Sequence, residues 1–161
     1  MSSTFAARTS VEAVEEGMLL APKFDAHGLI PVITTDAATG EVLMHAYMNE
    51  AALLKTLETR EAHYYSRSRQ QLWHKGATSG LVQTVQQFLI DDDQDCLWMK
   101  VKVAGSGASC HVGYRSCFYR QISLDEGNLA DKEPVALTFT ETTKTFDPAS
   151  VYGDAPNPTQ L

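Results

Sequence analysis

Apolar positions fall into short runs of alternating character over most of the chain, and one central stretch shows clear helical spacing. From Leu29, "LIPVITTD" and "EVLMHAYM" flank the turn formers "AATG" and predict a β-hairpin. Asn49 then stands as an N-cap before "EAALLKTLETRE", where Leu53, Leu54 and Leu57 predict a single narrow apolar stripe on a helix. "AHYYSRS" returns to strand composition, and "RQQLWHKGATSG" reads as a loop punctuated by glycine and serine. "LVQTVQQFLI" and "CLWMKVKV" predict a second, longer hairpin. In its return strand Leu97, Met99, Val101 and Val103 alternate with Trp98, Lys100 and Lys102, as expected of a strand buried on one face.

The ends are less regular. "SVEAVEEGMLL" predicts a short amphipathic helix capped by Ser10 and stopped by Pro22. Beyond Gln121, "PVALTF" offers one more strand. "DPASVYG" has the Asp cap, Pro start and Gly stop of a single helical turn, and "DAPNPTQL" is expected to be mobile. The expected organisation is an arm over residues 1–23, one core over 24–124, and an extension over 125–161 packed on that core. No internal repeat is evident.

With 161 residues and 43% hydrophobic composition, the chain can bury one real core. A formal charge of −7 disfavours general binding to nucleic acid or to anionic membrane, so any phosphate must be met by a local basic patch. Neither an export signal nor an apolar run long enough for a membrane span is visible, and a cytoplasmic location is expected. Cys96, Cys110 and Cys117 are too few, and odd in number, for a disulfide framework. Buried thiols or metal ligands are the readings left open.

Those constraints sharpen three stretches. In "LIDDDQDC", Asp91, Asp93 and Asp95 share one face of an extended backbone while Asp92 points to the other. Three converging carboxylates repel unless solvated or joined by a hard divalent cation. An EF-hand is excluded because Cys96 stands where glycine is needed and Lys102 where glutamate is needed, so magnesium in an open carboxylate set is the better fit. In "SCHVGYRSCFYR", Gly113 lets the chain bend so that Cys110 and Cys117 can converge on zinc or pack as core thiols. A third ligand would come from His111, Asp92, Cys96 or a second subunit. From Ala62 to Ile90 there is no acidic residue, yet Arg67, Arg69 and Lys75 occur among Ser66, Ser68, Thr78 and Ser79. The composition is that of an anion site, or else of a solvated strand edge.

In order along the chain, "HYYSRSRQQLWHKGATSG", "IDDDQD" and "ASCHVGYRSCFYR" resemble the phosphoribosyl-AMP cyclohydrolase family of histidine biosynthesis, over roughly Phe24 to Arg120. The resemblance implies an α+β fold, a mainly antiparallel β pseudo-barrel capped by a short helix, in an intertwined homodimer of the single-activity form. It implies magnesium at Asp91, Asp93 and Asp95, and one zinc per subunit at Cys110 and Cys117. The family's remaining zinc ligand is a cysteine between the first two aspartates, supplied across the dimer interface. Here that position is Asp92, a harder oxygen donor, with Cys96 as a nearby substitute on Asp92's side of an extended strand. Two extra residues relative to the family spacing fall at "AGSGAS".

The implied reaction is zinc-dependent opening of the adenine ring. Alkylation at N1 draws electrons from C6, activated water adds there, and N1 leaves while the exocyclic amine stays as a carboxamide. His111 is the candidate for proton transfer. Arg67, Arg69, Lys75, Thr78, Ser79 and Arg115 are the candidates for binding the two phosphates, with Arg120 a further cation. The expected partners are therefore a small-molecule substrate and a second copy of the chain, without nucleic acid or membrane. A zinc-stabilised RNA-binding module is the competing class, with "HYYSRSRQQLW" supplying aromatics and arginines, and the net charge argues against it.

Overall fold

The first alternating run folds as β1 (Ile30–Asp36) and β2 (Val42–Met48) in the computed structural model of the chain, which describes residues 4–124 and 132–161. The turn between them closes because the Asp36 carboxylate accepts N–H bonds from Ala38 and Thr39, while Gly40 takes φ +77°. Asn49 caps α2 (Glu50–Thr59) by accepting from the Ala52 N–H, and Arg60 ends it in the left-handed region. The buried face of α2 is Ala52, Leu53 and Thr56, displaced from the expected leucine stripe, and Leu57 is exposed. Thr56 earns its burial through Oγ1, which donates to the Ala52 carbonyl and accepts from the His63 N–H, tying the helix to the next strand.

β3 (His63–Ser66) pairs with β4 (Gln71–His74), so the stretch expected as loop contains a strand. Trp73 tilts against buried Tyr64 and gives that strand a partner face which local composition does not advertise. The second hairpin forms as expected from β5 (Gln83–Ile90) and β6 (Leu97–Val103), with Leu97, Met99 and Val101 buried.

The main sheet has the order β2-β1-β6-β5. Its hairpins are antiparallel, but they join through a parallel β1–β6 pair in register from Val32↔Leu97 to Asp36↔Val101. The sheet is therefore mixed, and no closed barrel forms among the described residues. The β5 edge is met piecemeal by the segment that leads into β3. The Ala62 N–H donates to the Gln83 carbonyl, the Val85 N–H to that of Arg60, and Glu61 makes one bridge to Thr84. The core lies between sheet and helix: Ile30 and Val32, Leu43 and Met48, Ala52 and Leu53, Tyr64, Met99 and Val101.

At the N-terminal end α1 is only Val11–Glu15, capped by Ser10, and stops at Glu16 well short of Pro22. The following Met18 and Leu19 are exposed. Beyond Cys117, β7 (Arg120–Ile122) pairs with β8 (Leu137–Phe139), and α3 (Pro148–Tyr152) has Asp147 as its cap and Pro148 at its start. None of the described helices is long and apolar enough to cross a membrane.

Candidate active site and metal centres

The cysteine loop is pinned at both ends before its side chains do anything. The Ser109 N–H donates to the Arg115 carbonyl and the Cys110 N–H to that of Tyr114, closing a tight hairpin, while the Cys117 N–H reaches the Leu43 carbonyl on β2. Ser116 Oγ adds a bond to the Val42 carbonyl. Gly113, at φ +107°, has no room for a side chain: a Cβ would lie 2.6 Å from the Phe146 carbonyl oxygen of the C-terminal extension. These restraints bring Cys110, buried, and Cys117, exposed, into a shared thiol hydrogen bond.

That bond divides one ionisation between two sulfurs. The Cys110 thiol is pulled down to about 6 by its hydrogen bond to Cys117, helped by the Val112 and Tyr114 N–H groups and the Lys75 ammonium, against the opposing effect of burial. Cys117, although exposed as a residue, has its thiol pushed up by the interaction with Cys110, by desolvation around the sulfur and by the charge on Cys110. Lys75 is 3% exposed, stands over the Trp73 ring at 5.3 Å, and is held below its ordinary value by burial. The adjacent His111 has a buried Nε2 with no hydrogen-bond partner among the described residues. Burial holds its imidazole below the ordinary value, an Asn157 hydrogen bond opposes this, and Lys75 adds to the lowering. Two neighbouring thiols are donors that suit zinc, but among the described residues no imidazole or carboxylate gathers with them into a three-ligand group.

Asp91, Asp93 and Asp95 do converge, with one carboxylate oxygen from each within 4.8 Å of the others. They do so on a turn rather than on extended backbone. Asp91 Oδ1 accepts from the Asp95 and Cys96 N–H groups, and Gln94 takes φ +57°. Desolvation and the charges of Asp93 and Asp91 push the Asp95 carboxyl up, a strain that a divalent cation relieves. The turn breaks the period of two, so parity along an extended strand does not govern where Cys96 faces. Its thiol is raised by partial burial and by the charges of Asp91, Asp95 and Asp93, and it is not part of the converging group. Asp92 is exposed and outside the group.

The basic loop separates into three parts. Arg67 and Arg69 line a cavity of about 480 Å³ together with His45, Tyr47 and Trp73, and Pro158 and Gln160 of the C-terminal end form part of its wall. Arg67 stacks on Tyr47 at 4.2 Å, and Arg69 Nε donates to Ser66 Oγ. Lys75 lies behind Trp73, toward the sulfurs. Thr78 is exposed and Ser79 half-buried, its Oγ accepting the Leu81 N–H. Arg115 is engaged elsewhere, in an ion pair with Glu41.

The sequence is similar to known proteins over this region. The family model described as phosphoribosyl-AMP cyclohydrolase matches residues 44–119, which include most of the cavity wall, the aspartate turn and both loop cysteines. A relative of that name from Agrobacterium fabrum is 53% identical over 143 residues, covering 89% of this chain and 91% of the relative. The chain belongs to the phosphoribosyl-AMP cyclohydrolase family. A relative from Rhodopseudomonas palustris strain HaA2 is 52% identical and covers 95% of this chain and 99% of its own length. Another from Brucella anthropi is 56% identical over 74% of this chain and 84% of its own. Similarity to cyclohydrolases of this family thus extends past the matched core into the C-terminal extension or the arm.

Three residues around this site carry no signal in the sequence. Gln83 is fully buried between Tyr64 and Ser109, Gln94 is buried against the arm, and Asn157 meets His111. Gln94 stands between two aspartates, Gln83 between Val82 and Thr84, and Asn157 between two prolines, and in none of these settings does pattern alone mark a side chain turned inward.

Proposed function

We propose that the chain opens the N1–C6 bond of the adenine ring of 1-(5-phosphoribosyl)-AMP, giving the phosphoribosyl-formimino-carboxamide ribotide of histidine biosynthesis. The observation that carries this reading is one pinned loop that brings the Cys110 and Cys117 thiols close enough to govern each other's ionisation, with the buried, unpartnered Nε2 of His111 next in sequence. Membership of the cyclohydrolase family gives the pair its chemistry.

Cys110 and Cys117 hold zinc, with Asp92 of the partner subunit as third ligand; when bound, the metal supplies an acidified water for attack at C6. The water oxygen forms the new bond to C6, the N1–C6 bond breaks, and N1 takes up a proton. His111, held below its ordinary pKa by burial, is neutral at pH 7 and can accept the water's proton through Nε2 and return it to N1. Arg67 and Arg69 face the cavity and bind phosphate, with the Thr78–Ser79 loop as a second contact. Lys75 fixes the thiolate and carries positive charge between sulfurs and cavity. Asp91, Asp93 and Asp95 hold magnesium.

A homodimer is part of this reading. Phe118, next to Cys117, and Ile122, Leu137 and Phe139 of the β7–β8 hairpin expose apolar surface beside a thiol pair that lacks a third ligand from its own chain among the described residues.

The test is an ultraviolet ring-opening assay with metal-free, zinc-restored and Cys110→Ala proteins. Zinc is expected to restore turnover only with the two cysteines intact. Equal turnover by the metal-free protein, or by Cys110→Ala, overturns the reading.

A further inference from the structure

We infer that the N-terminal arm braces the aspartate turn, with Gln94 as a positioning residue for the divalent cation held by Asp91, Asp93 and Asp95. The inference rests on the reading of those carboxylates as a cation site.

Gln94 takes a backbone conformation, φ +57°, that glycine or asparagine adopts more cheaply than glutamine. Its side chain supplies what neither shorter residue can reach. Oε1 accepts from the Ala21 N–H at 2.8 Å, and Nε2 donates to the Val14 carbonyl at 2.9 Å. The Gln94 carbonyl in turn accepts from the Lys23 N–H at 2.7 Å. The residue is 5% exposed, so losing any of these bonds strands a polar group away from water.

A second clasp holds the preceding residue. Arg8 Nη2 donates to the Asp93 carbonyl at 2.8 Å, and Nη1 to the Ala21 carbonyl at 2.6 Å. Asp93 and Gln94, the two residues immediately before Asp95, are thus tied by separate groups to the arm. From within, the turn is closed by Asp91 Oδ1, which leaves Oδ2 for a ligand. Repulsion among the three carboxylates favours splaying. A brace that forbids it lowers the ordering cost a cation must meet, and the gain is read as affinity. The arm thereby acquires a role although none of its residues belongs to the converging carboxylates.

The experiment measures Mg²⁺ binding to the zinc-loaded full chain by equilibrium dialysis, for wild type, Gln94→Gly and Arg8→Ala. Gln94→Gly relaxes the backbone while deleting the amide, so a purely conformational role makes it neutral. Arg8→Ala removes an exposed side chain and leaves the core untouched. Both are expected to raise the Mg²⁺ dissociation constant roughly tenfold and to recover turnover at saturating Mg²⁺, which an unfolded variant does not do. Wild-type affinity in both variants overturns the brace alone. Failure of wild type to bind Mg²⁺ overturns the cation site, and the brace with it.

Discussion

The Tyr64 hydroxyl donates to Gln83 Oε1 at 2.6 Å in the fully buried centre of the fold, and accepts from Thr34 Oγ1 at 2.7 Å. Gln83 Nε2 passes the connection on to Ser109 Oγ at 3.0 Å, one residue before Cys110. A polar chain therefore runs from β1 through β3 and β5 to the cysteine loop. Tyr64→Phe removes the only donor to Gln83 Oε1 among the described residues and strands that oxygen in the core. The expected loss is about 1–3 kcal/mol of unfolding free energy, measured by urea titration.

Gln83→Leu separates stability from site geometry. It replaces the amide with a side chain of similar size that cannot hold Ser109, so the Cys110 end of the loop loses a fixed anchor. Zinc affinity, measured by competition with a chromophoric chelator, is expected to fall roughly 10- to 100-fold, the scale of losses around metal ligands. Unchanged affinity would show that the backbone bonds of Ser109 and Cys110 position the loop by themselves.

Asp92 offers a direct test of the departure from the family's cysteine. Asp92→Cys supplies a third thiolate and is expected to tighten zinc, whereas Asp92→Ala weakens it. Both effects require two copies of the chain, so they are measured together with the oligomeric state by light scattering. Equal zinc affinity in all three proteins removes Asp92 from the ligand set.

Arg67 and Arg69 are the two arginines in the cavity wall, each stacked near an aromatic ring that limits its motion. Replacing either by alanine deletes a charge-assisted contact worth about 1.5–3 kcal/mol. The expected rise in KM is roughly 10- to 100-fold with a smaller change in kcat. Loss confined to kcat would place these side chains at the transition state instead of on a phosphate.

Local pattern exposed much of the fold and less of its assembly. The hairpin from Leu29, the Asn49 cap and the alternation in β6 follow from bonds and contacts between near neighbours, which spacing records. The parallel β1–β6 pair joins residues some 65 positions apart, and nothing in either strand specifies its partner. β4 was hidden for a similar reason, because its strand identity comes from pairing with β3. At the site, the convergence of the aspartates was legible and its cause was not: parity gave the right trio, while a turn through Gln94, not an extended strand, brings them together. Arg115 reads as a free cation until the fold brings Glu41 beside it.

Asp36 gives the fold a pH-dependent contribution whose sign can be worked out. The Thr39 N–H, the Ala38 N–H and the Thr39 hydroxyl all donate to its carboxylate, and Arg115 lies near enough to attract it. These outweigh partial desolvation and hold the carboxyl below its ordinary value of 3.8. A carboxyl lowered in the folded state binds protons more readily when unfolded. Its stabilisation is therefore complete above pH 3.8 and fades as pH falls through the folded value. Asp36→Asn keeps an oxygen for the same N–H groups but loses the charge. At pH 7 the variant is expected to be less stable by about half a kcal/mol, a small figure because solvent screens the group. In urea titrations at pH 7, 4 and 2.5 the gap between the two proteins should narrow at each step. A gap that stays constant would assign the effect to turn geometry, with the charge contributing nothing.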